Sequence, residues 1–559
     1  MAGSWARLGW LAWAAIAAAA VARFAGRAGD DVYITYRYAY NLALGRGLVF
    51  NPGERVFGVS DPGVATLLAA LHRATGAPIP VLGTAVTGLA LLAVAGALLA
   101  AARAAGREAE GWLGGTLLLS SAYVWLGQGA GPLPALALLL LAARLSDAGR
   151  AWQAGALAGL AFCCRPDAAL GAGVLAALLA AEAWRAAAAA DGGPQALPAA
   201  SSSSQAAAAP GGLGARLGRP LAFSAAFAVV AAVAMTAAWL YFGSALPETL
   251  AVKRRFAALA PQDFTGWAFW RPAWQLFCGL SGRGGVALLA LGIAGLAPLY
   301  RHGGRPGRVL VLYSLALAVF YTLAEIPFFV WYTIPAAVAV LYGACFLAGD
   351  LARRARFETA PAKQPRGGGG SGRRARRAAL LLAAAGAGAV LVSALAGGCR
   401  FWSAGGSADW RLFAYRRAGE WLRAHTPAAS AVAFDEVGIL GYYGDRPVLD
   451  LIGLVSRSSR PYAAVGDPLG AFLAAPADLV LFHTYDRRGG TRPILIRPWF
   501  AAAYEQVAAI PDPVRRAECR IYRRRPGSLV PPPRPPWPRP KPASSGSLIA
   551  GQRRSQGAL

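Results

Sequence analysis

Apolar runs alternate with short polar connections from the N-terminus to about Leu395, and many approach the ~20 residues that carry a helix across a bilayer. They predict spans at roughly 8–25, 80–101, 111–127, 132–146, 152–164, 167–184, 220–243, 284–300, 308–324, 327–348 and 378–397, about eleven transmembrane helices. The run at 152–164 is short for a full crossing. Beyond the last span the pattern changes to mixed polarity and shorter runs. Trp410–His425 reads as an amphipathic helix, and Ala431–Phe434 and Leu479–His483 read as short buried strands. The expected fold class is an α-helical polytopic membrane module, 1–397, with a small C-terminal α/β domain, 398–525. Within the membrane module, 26–79 forms a long loop after the first span.

Two stretches break the apolar rhythm, 185–219 and 349–377. The first contains an Ala/Ser/Gly/Pro run and the second a Gly/Pro run leading into Arg373–Arg377, so both read as disordered linkers. The Pro/Arg/Ser-rich tail 526–559 cannot bury a core and reads the same way.

Charge placement orients the chain. With the N-terminus in the cytoplasm, Arg103/Arg107, Arg144/Arg150, Arg185/Arg216/Arg219, Arg301/Arg305/Arg308 and the linker Arg353–Arg377 all fall on the cytoplasmic side, as cytoplasmic Lys/Arg enrichment requires. The 26–79 loop and the C-terminal domain then lie outside, on the outer face of a bacterial inner membrane. Composition agrees: the chain is 56% hydrophobic and 15% charged, with a mean hydropathy of +0.43. The net charge of +28 would suit nucleic acid, but arginines cluster in short loops between apolar runs and in the linker Arg353–Arg377, the footprint of orientation in a membrane, which argues against that partner. The only lysines are Lys253, Lys363 and Lys541, which together with the abundant Ala and Gly is the coding bias of a GC-rich genome. Met1–Ala22 carries one charge, Arg7, and no convincing cleavage site, so it reads as a retained signal anchor. The six cysteines form no metal pattern. Cys399 and Cys519 both fall in the segment placed outside, either bridged or as two separate thiols.

The most informative stretch follows the first span: DDVYITYRYAYNLALGRGLVFNPGERVFGVSDPG, Asp30 to Gly63. Two adjacent carboxylates at a membrane surface cost energy unless a function or a cation needs them. Tyr33, Tyr36, Tyr38 and Tyr40 follow, then a Gly-rich turn and Asn51-Pro52-Gly53. Asp30 also stands where it would cap a helix beginning near Val32, and the tyrosines where they would form an interfacial belt.

This run resembles the first outer loop of GT-C-fold glycosyltransferases that depend on polyprenyl-phosphate sugars, closest to bacterial terminal arabinofuranosyltransferase-like membrane proteins. Further matches are Arg165-Pro166-Asp167, YFGSALPETLAVK (Tyr241–Lys253), the aromatic run Phe329–Pro335, and FDEVGILGYYGDRPVLDLIGLV (Phe434–Val455). The resemblance covers most of the chain from Asp30 to about Phe482. Departures stand beside it. Relatives carry a Gly-Met-Glu-Thr motif where this chain reads GQGAGPLPAL (Gly127–Leu136), a glutamate where it has Phe57, and often Asn where it has Glu248. A changed substrate, or a divergent or inactive member, would follow from the missing glutamate.

The resemblance implies transfer of a sugar, arabinofuranose among the choices, from a lipid-phosphate carrier to a glycan, lipid or protein acceptor. That chemistry needs a base for the acceptor hydroxyl and cations for the departing phosphate. By resemblance the base is Asp30, with Asp31 its neighbour or, together with it, the ligands of a divalent cation such as Mg or Mn. Arg37, Arg165 and Lys253 are the phosphate-binding choices, and Tyr33, Tyr38, Asn51, Asp167, Glu248 and Glu436 the substrate-binding ones. Structural readings stand beside these: Arg165 with Asp167 as a pair at a tight turn, Lys253 with Arg254 and Arg255 as a lipid-headgroup patch, Glu436 as a turn cap, Tyr442 and Tyr443 as domain packing, His425 and His483 as isolated structural histidines. No nucleotide-binding or zinc-protease motif appears in the sequence, which suits a lipid-linked donor. A lipid-linked-sugar transporter and a non-catalytic envelope assembly protein are the competing readings. Against the transporter, the sequence shows no internal repeat and places its polar signatures at the outer surface rather than mid-span.

Overall fold

The computed structural model describes residues 2–190, 213–259, 265–357, 370–403, 409–485 and 490–533. Every predicted apolar run forms helix. Among the described residues, seven helices are long and apolar enough to cross a membrane: Trp5–Phe24, Ile79–Ala104, Ala168–Ala188, Leu217–Phe242, Gly304–Leu323, Val330–Arg356 and Arg374–Ser403. The chain is a membrane protein.

The remaining predicted spans are shorter than a straight crossing needs. They form Glu108–Ser120, Pro132–Asp147 and Ala151–Cys164, of 13, 16 and 14 residues. The single span expected at 284–300 is two helices, Gly285–Ala294 and Leu296–His302. Gly295 lies between them where the backbone runs against Gly343; a Cβ there would stand 1.9 Å from the Gly343 carbonyl oxygen. The helices Gly266–Leu280 and Gly285–Ala294 form a further pair bent by 117°.

The described flanks of the predicted linkers are ordered helix, a correction to the compositional reading. Ala168–Ala190 and Leu213–Phe242 reach into 185–219, and Ile334–Phe357 and Gly370–Ser403 reach into 349–377. Alanine, leucine and arginine are strong helix formers, so these flanks continue their spans. The middle of each linker, and the tail beyond 533, lie outside the described residues.

The basic connections gather at one end of the bundle and tie helices together there. Arg107 pairs with Asp350, Arg353 with Glu110, and Arg305 with Asp147 at 2.7 Å and Glu182 at 2.6 Å. The opposite end receives the C-terminal domain. Its sheet contains β1 (Val432–Phe434), β2 (Val448–Asp450), β3 (Leu479–His483), β4 (Tyr504–Asp512) and β5 (Ala517–Arg524) in the order β2-β1-β3-β5-β4. The β1 strand pairs parallel to β2 and β3, and β5 pairs antiparallel to β3 and β4. All of β1 and β2 is buried, as expected of short apolar strands covered on both faces. The predicted amphipathic helix forms as Trp410–His425.

The domain does not hang from its last span. The helix Asp30–Ala43, from the loop after the first span, shares one apolar core with it: Tyr33, Ile34 and Phe50 pack with Tyr415, Ile439, Leu440 and Ile521. Cys519 belongs to the same core and Cys399 is exposed near the end of Gly370–Ser403; both are free thiols, so the bridge left open by the sequence is not made.

Candidate functional site

Asp30 and Asp31 are adjacent in sequence and are directed to different partners. Asp30 is 3% exposed, and its carboxylate accepts from the backbone N–H of Gly438 at 3.1 Å and of Ile439 at 2.8 Å. Those amides open the helix Val437–Gly444, so Asp30 caps a helix some four hundred residues away instead of its own. Gly438 admits this contact: a Cβ there would stand 1.8 Å from the Asp30 carbonyl oxygen. Burial raises the Asp30 carboxyl to about 7 against the opposing pull of Arg411. Asp30, expected to be the base, is instead the pin that docks the C-terminal domain.

Asp31 turns the other way, into a cavity of about 490 Å³ counting its mouth. Lys253, Arg165, Asp61, Trp331 and Tyr332 line it as well. The Lys253 ammonium meets Asp31 at 2.8 Å. It also lies 3.8 Å from the Phe329 ring centre and 5.1 Å from that of Trp331, in cation–π range. Burial pulls the Lys253 pKa down, but Asp31 and Tyr332 outweigh it and hold it above the ordinary lysine value.

Arg165, 6% exposed, forms the second cationic wall. Its guanidinium is held by Asp167 at 2.9 and 3.3 Å and by the Tyr321 hydroxyl at 3.2 Å, and lies 5.4 Å from the Tyr332 ring centre. Asp167 also accepts from the Tyr321 hydroxyl. Asp167 therefore orients Arg165. It is not among the residues that line the cavity.

Asp61 is the cavity residue the sequence reading missed. It accepts from Thr35 Oγ1 at 2.5 Å and from the Gly131 N–H at 2.9 Å, and burial raises its carboxyl. In sequence it sits in Ser60-Asp61-Pro62-Gly63, which reads as a turn and hides it. Trp331 and Tyr332 lie within the aromatic run noted in the sequence, without an assigned role there.

The other expected ligand residues do not reach the cavity, and each has a structural partner. Arg37, 1% exposed, pairs with Asp445 and donates to the Phe50 carbonyl at 3.3 Å. Tyr33 donates to the Gly26 carbonyl at 2.6 Å and lies 3.3 Å from the Tyr443 hydroxyl. Tyr38 donates to the Val56 carbonyl at 2.6 Å and accepts from Gly58 N–H at 3.1 Å. Asn51 makes a two-way bond with the Val448 backbone, 2.9 Å each way, and so docks the loop on β2. Glu248 pairs with Arg460. Glu436 accepts from Arg411 at 2.7 Å and from Tyr415. His483 is buried against Asp512 at 3.0 Å. Arg37 and Asn51 join the loop to the domain, Tyr38 ties the loop to itself, and Glu436 and His483 bond within the domain, so polarity alone does not separate a structural tie from a ligand.

A divalent cation held by Asp30 and Asp31 does not fit this arrangement. Both Asp30 oxygens are taken by amides, and Asp31 is taken by Lys253. Among the described residues no group of three or more His, Cys, Asp or Glu converges to hold a metal.

A family model described as Domain of unknown function (DUF8728) matches residues 408–526, the C-terminal domain. No curated protein matches the sequence. Among solved structures the chain is similar to ArnT from Cupriavidus metallidurans bound to undecaprenyl phosphate. That likeness has 14% identity, covers 93% of this chain and 98% of that one, and has a TM-score of 0.53. The apo state of the same protein gives 15% identity over the same shares and a TM-score of 0.51. The Archaeoglobus fulgidus oligosaccharyltransferase in its apo form is 13% identical over 86% of this chain and 69% of that one, with a TM-score of 0.48. The likeness to ArnT establishes the fold: this chain is a GT-C-fold membrane protein.

Proposed function

We propose that the protein is a membrane glycosyltransferase that moves a sugar from a polyprenyl-phosphate carrier to a cell-envelope glycan, lipid or protein on the outer face of a bacterial inner membrane. The observation that carries this reading is the meeting of two carboxylates, Asp31 and Asp61, with two cations, Lys253 and Arg165, in one cavity at the domain end of a GT-C bundle, with Asp31 paired directly to Lys253. ArnT, which shares the fold, has been solved with undecaprenyl phosphate, and that supports a lipid-phosphate donor here. Arabinofuranose is the sugar the sequence resemblance favours.

The geometry supplies an order of events. At rest the Lys253 ammonium neutralises Asp31. A donor phosphate brings a second anion to the two cations and takes Lys253 as its partner; Arg165 adds a guanidinium whose donors suit phosphate oxygens. Asp31 is then free to accept the proton of the acceptor hydroxyl. The hydroxyl oxygen bonds to the anomeric carbon as the bond from that carbon to the phosphate oxygen breaks. The electron pair stays on the lipid phosphate, where Lys253 and Arg165 meet the developing charge. Asp61, held by Thr35 and the Gly131 N–H, lies beside Arg165.

Sugar transfer by the purified full-length protein in nanodiscs tests this, with a panel of polyprenyl-phosphate sugars that includes arabinofuranose. Wild type is compared with Asp31→Asn and Asp30→Asn. Transfer that collapses in folded Asp31→Asn supports the reading; transfer unchanged by that substitution overturns it.

A further inference from the structure

A second opening lies beside the catalytic cavity, between the turn Gly53–Arg55, the end of the helix Leu213–Phe242 and Arg457 of the C-terminal domain. Its volume is about 960 Å³ counting the open mouth. Phe242 of this cleft stacks at 4.4 Å on Phe57, the neighbour in sequence of Gly58, which lines the first cavity; the two openings share no lining residue.

Two guanidiniums face this cleft without a carboxylate partner among the described residues. Arg55 lies over the Tyr241 ring at 4.7 Å. Arg457 spends one nitrogen on the Arg55 carbonyl at 3.1 Å. A carboxylate, Glu54, also lines the cleft, and it is committed to the Arg457 backbone N–H at 2.5 Å and to Asn51 at 3.2 Å. Gly53 and Gly243, at φ 86° and 78°, present no side chain to the opening, and a Cβ on either would meet nothing within 4 Å.

The cleft's position selects its ligand. The helix that ends in it carries exposed Val229, Val233, Trp239 and Leu240, a lipid-facing surface, so its last turn stands where hydrocarbon gives way to headgroups. Two unpaired arginines at that level, beside an aromatic ring, match a phosphate carried on a lipid. We infer that the cleft of Arg55, Arg457 and Tyr241 is a second lipid-phosphate site, distinct from the Lys253 and Arg165 site. It takes the phosphate of a headgroup at the membrane surface. A phospholipid of the bilayer and a lipid-linked carrier both present that group. The inference stands on the cleft's own geometry, so it survives a failure of the catalytic assignment.

Native mass spectrometry of the full-length protein, released from detergent, tests it. Phosphatidylglycerol and polyprenyl phosphate are added separately to wild type, Arg55→Gln, Arg457→Gln, the double variant and Lys253→Gln. Each single Gln variant in the cleft weakens one phosphate-lipid adduct by about tenfold, and the double variant removes it. Lys253→Gln leaves that adduct in place. Loss confined to phosphatidylglycerol identifies a bilayer phospholipid; loss confined to polyprenyl phosphate identifies a lipid-linked carrier. Both arginines are exposed, so these variants fold. Unchanged affinity for both lipids in the double variant overturns the inference.

Discussion

Lys253 and Asp31, 222 positions apart in sequence, meet at 2.8 Å inside a cavity, with the Phe329 and Trp331 rings against the ammonium. The pair is half-buried, with side-chain exposures of 18% and 29%, and the pull of Asp31 and Tyr332 outweighs the desolvation of Lys253. In the proposed reaction Lys253 exchanges Asp31 for the donor phosphate, which couples donor binding to release of the proposed base.

The two halves of the pair separate kinetically. Asp31→Asn lowers kcat by about 10²–10⁴-fold, the range for a lost general base, while donor affinity holds or improves because Lys253 loses its competitor. Lys253→Gln weakens donor binding by about tenfold or more, the loss of one charge-assisted contact. Steady-state transfer with varied donor reads both. Equal effects on kcat and donor KM in the two variants would show that the pair is only structural.

Asp30 carries a different signature, in stability and not in turnover. Its folded carboxyl titrates at about 7, above the ordinary value of 3.8, chiefly from burial. A carboxyl raised on folding favours the native state when protonated. Its contribution is full below about 4 and is lost as pH climbs through about 7. Thermal unfolding midpoints measured from pH 4 to pH 8 fall with rising pH in wild type, and fall less in Asp30→Asn. Asp450, buried in the domain with its carboxyl raised to about 6, titrates in the same direction, so the difference between the two proteins isolates Asp30. Asp30→Ala, which removes the cap on Val437–Gly444, costs about 1–2 kcal/mol.

The sequence was legible where periodicity decides. Apolar runs located the seven long apolar helices among the described residues but not Gly266–Leu280 of the bent pair, and Trp410–His425 and Leu479–His483 form with the bounds read from their patterns. It failed at the joint between loop and domain. Asp30, Arg37, Asn51 and Glu436 are polar and near one another, as ligands are, but each meets a partner in the C-terminal domain or in the loop itself. A contact between residues four hundred positions apart leaves no local pattern. Asp61 shows the reverse: a cavity carboxylate looked like turn punctuation because Pro62 and Gly63 follow it.

Arg37 separates the joint from the site directly. Its ion pair with Asp445 is buried on the arginine side, and Arg46 shares the same carboxylate at 2.8 Å. Arg37→Met breaks the pair and leaves Arg46 to Asp445, so the loss of stability is about 3 kcal/mol, near the low end for a broken buried pair. Donor KM in the surviving folded fraction stays at the wild-type value, because Arg37 does not line the cavity. A rise in donor KM at full folded occupancy would return Arg37 to the phosphate site.

Asp167 acts through Arg165. The carboxylate holds the guanidinium at 2.9 and 3.3 Å, and Tyr321 closes the triangle by donating to Asp167 while contacting Arg165 at 3.2 Å. A fork aimed at a phosphate loses value when its plane can turn, since its advantage over a lysine is orientation. Asp167→Asn keeps the volume and removes the charge that fixes the plane. Donor KM then rises by about tenfold and kcat falls by less. Tyr321→Phe gives a smaller change of the same kind, because it removes one of the ties on the guanidinium and leaves the carboxylate. If Asp167→Asn instead lowered kcat alone, Asp167 would act in the chemical step and not only through Arg165.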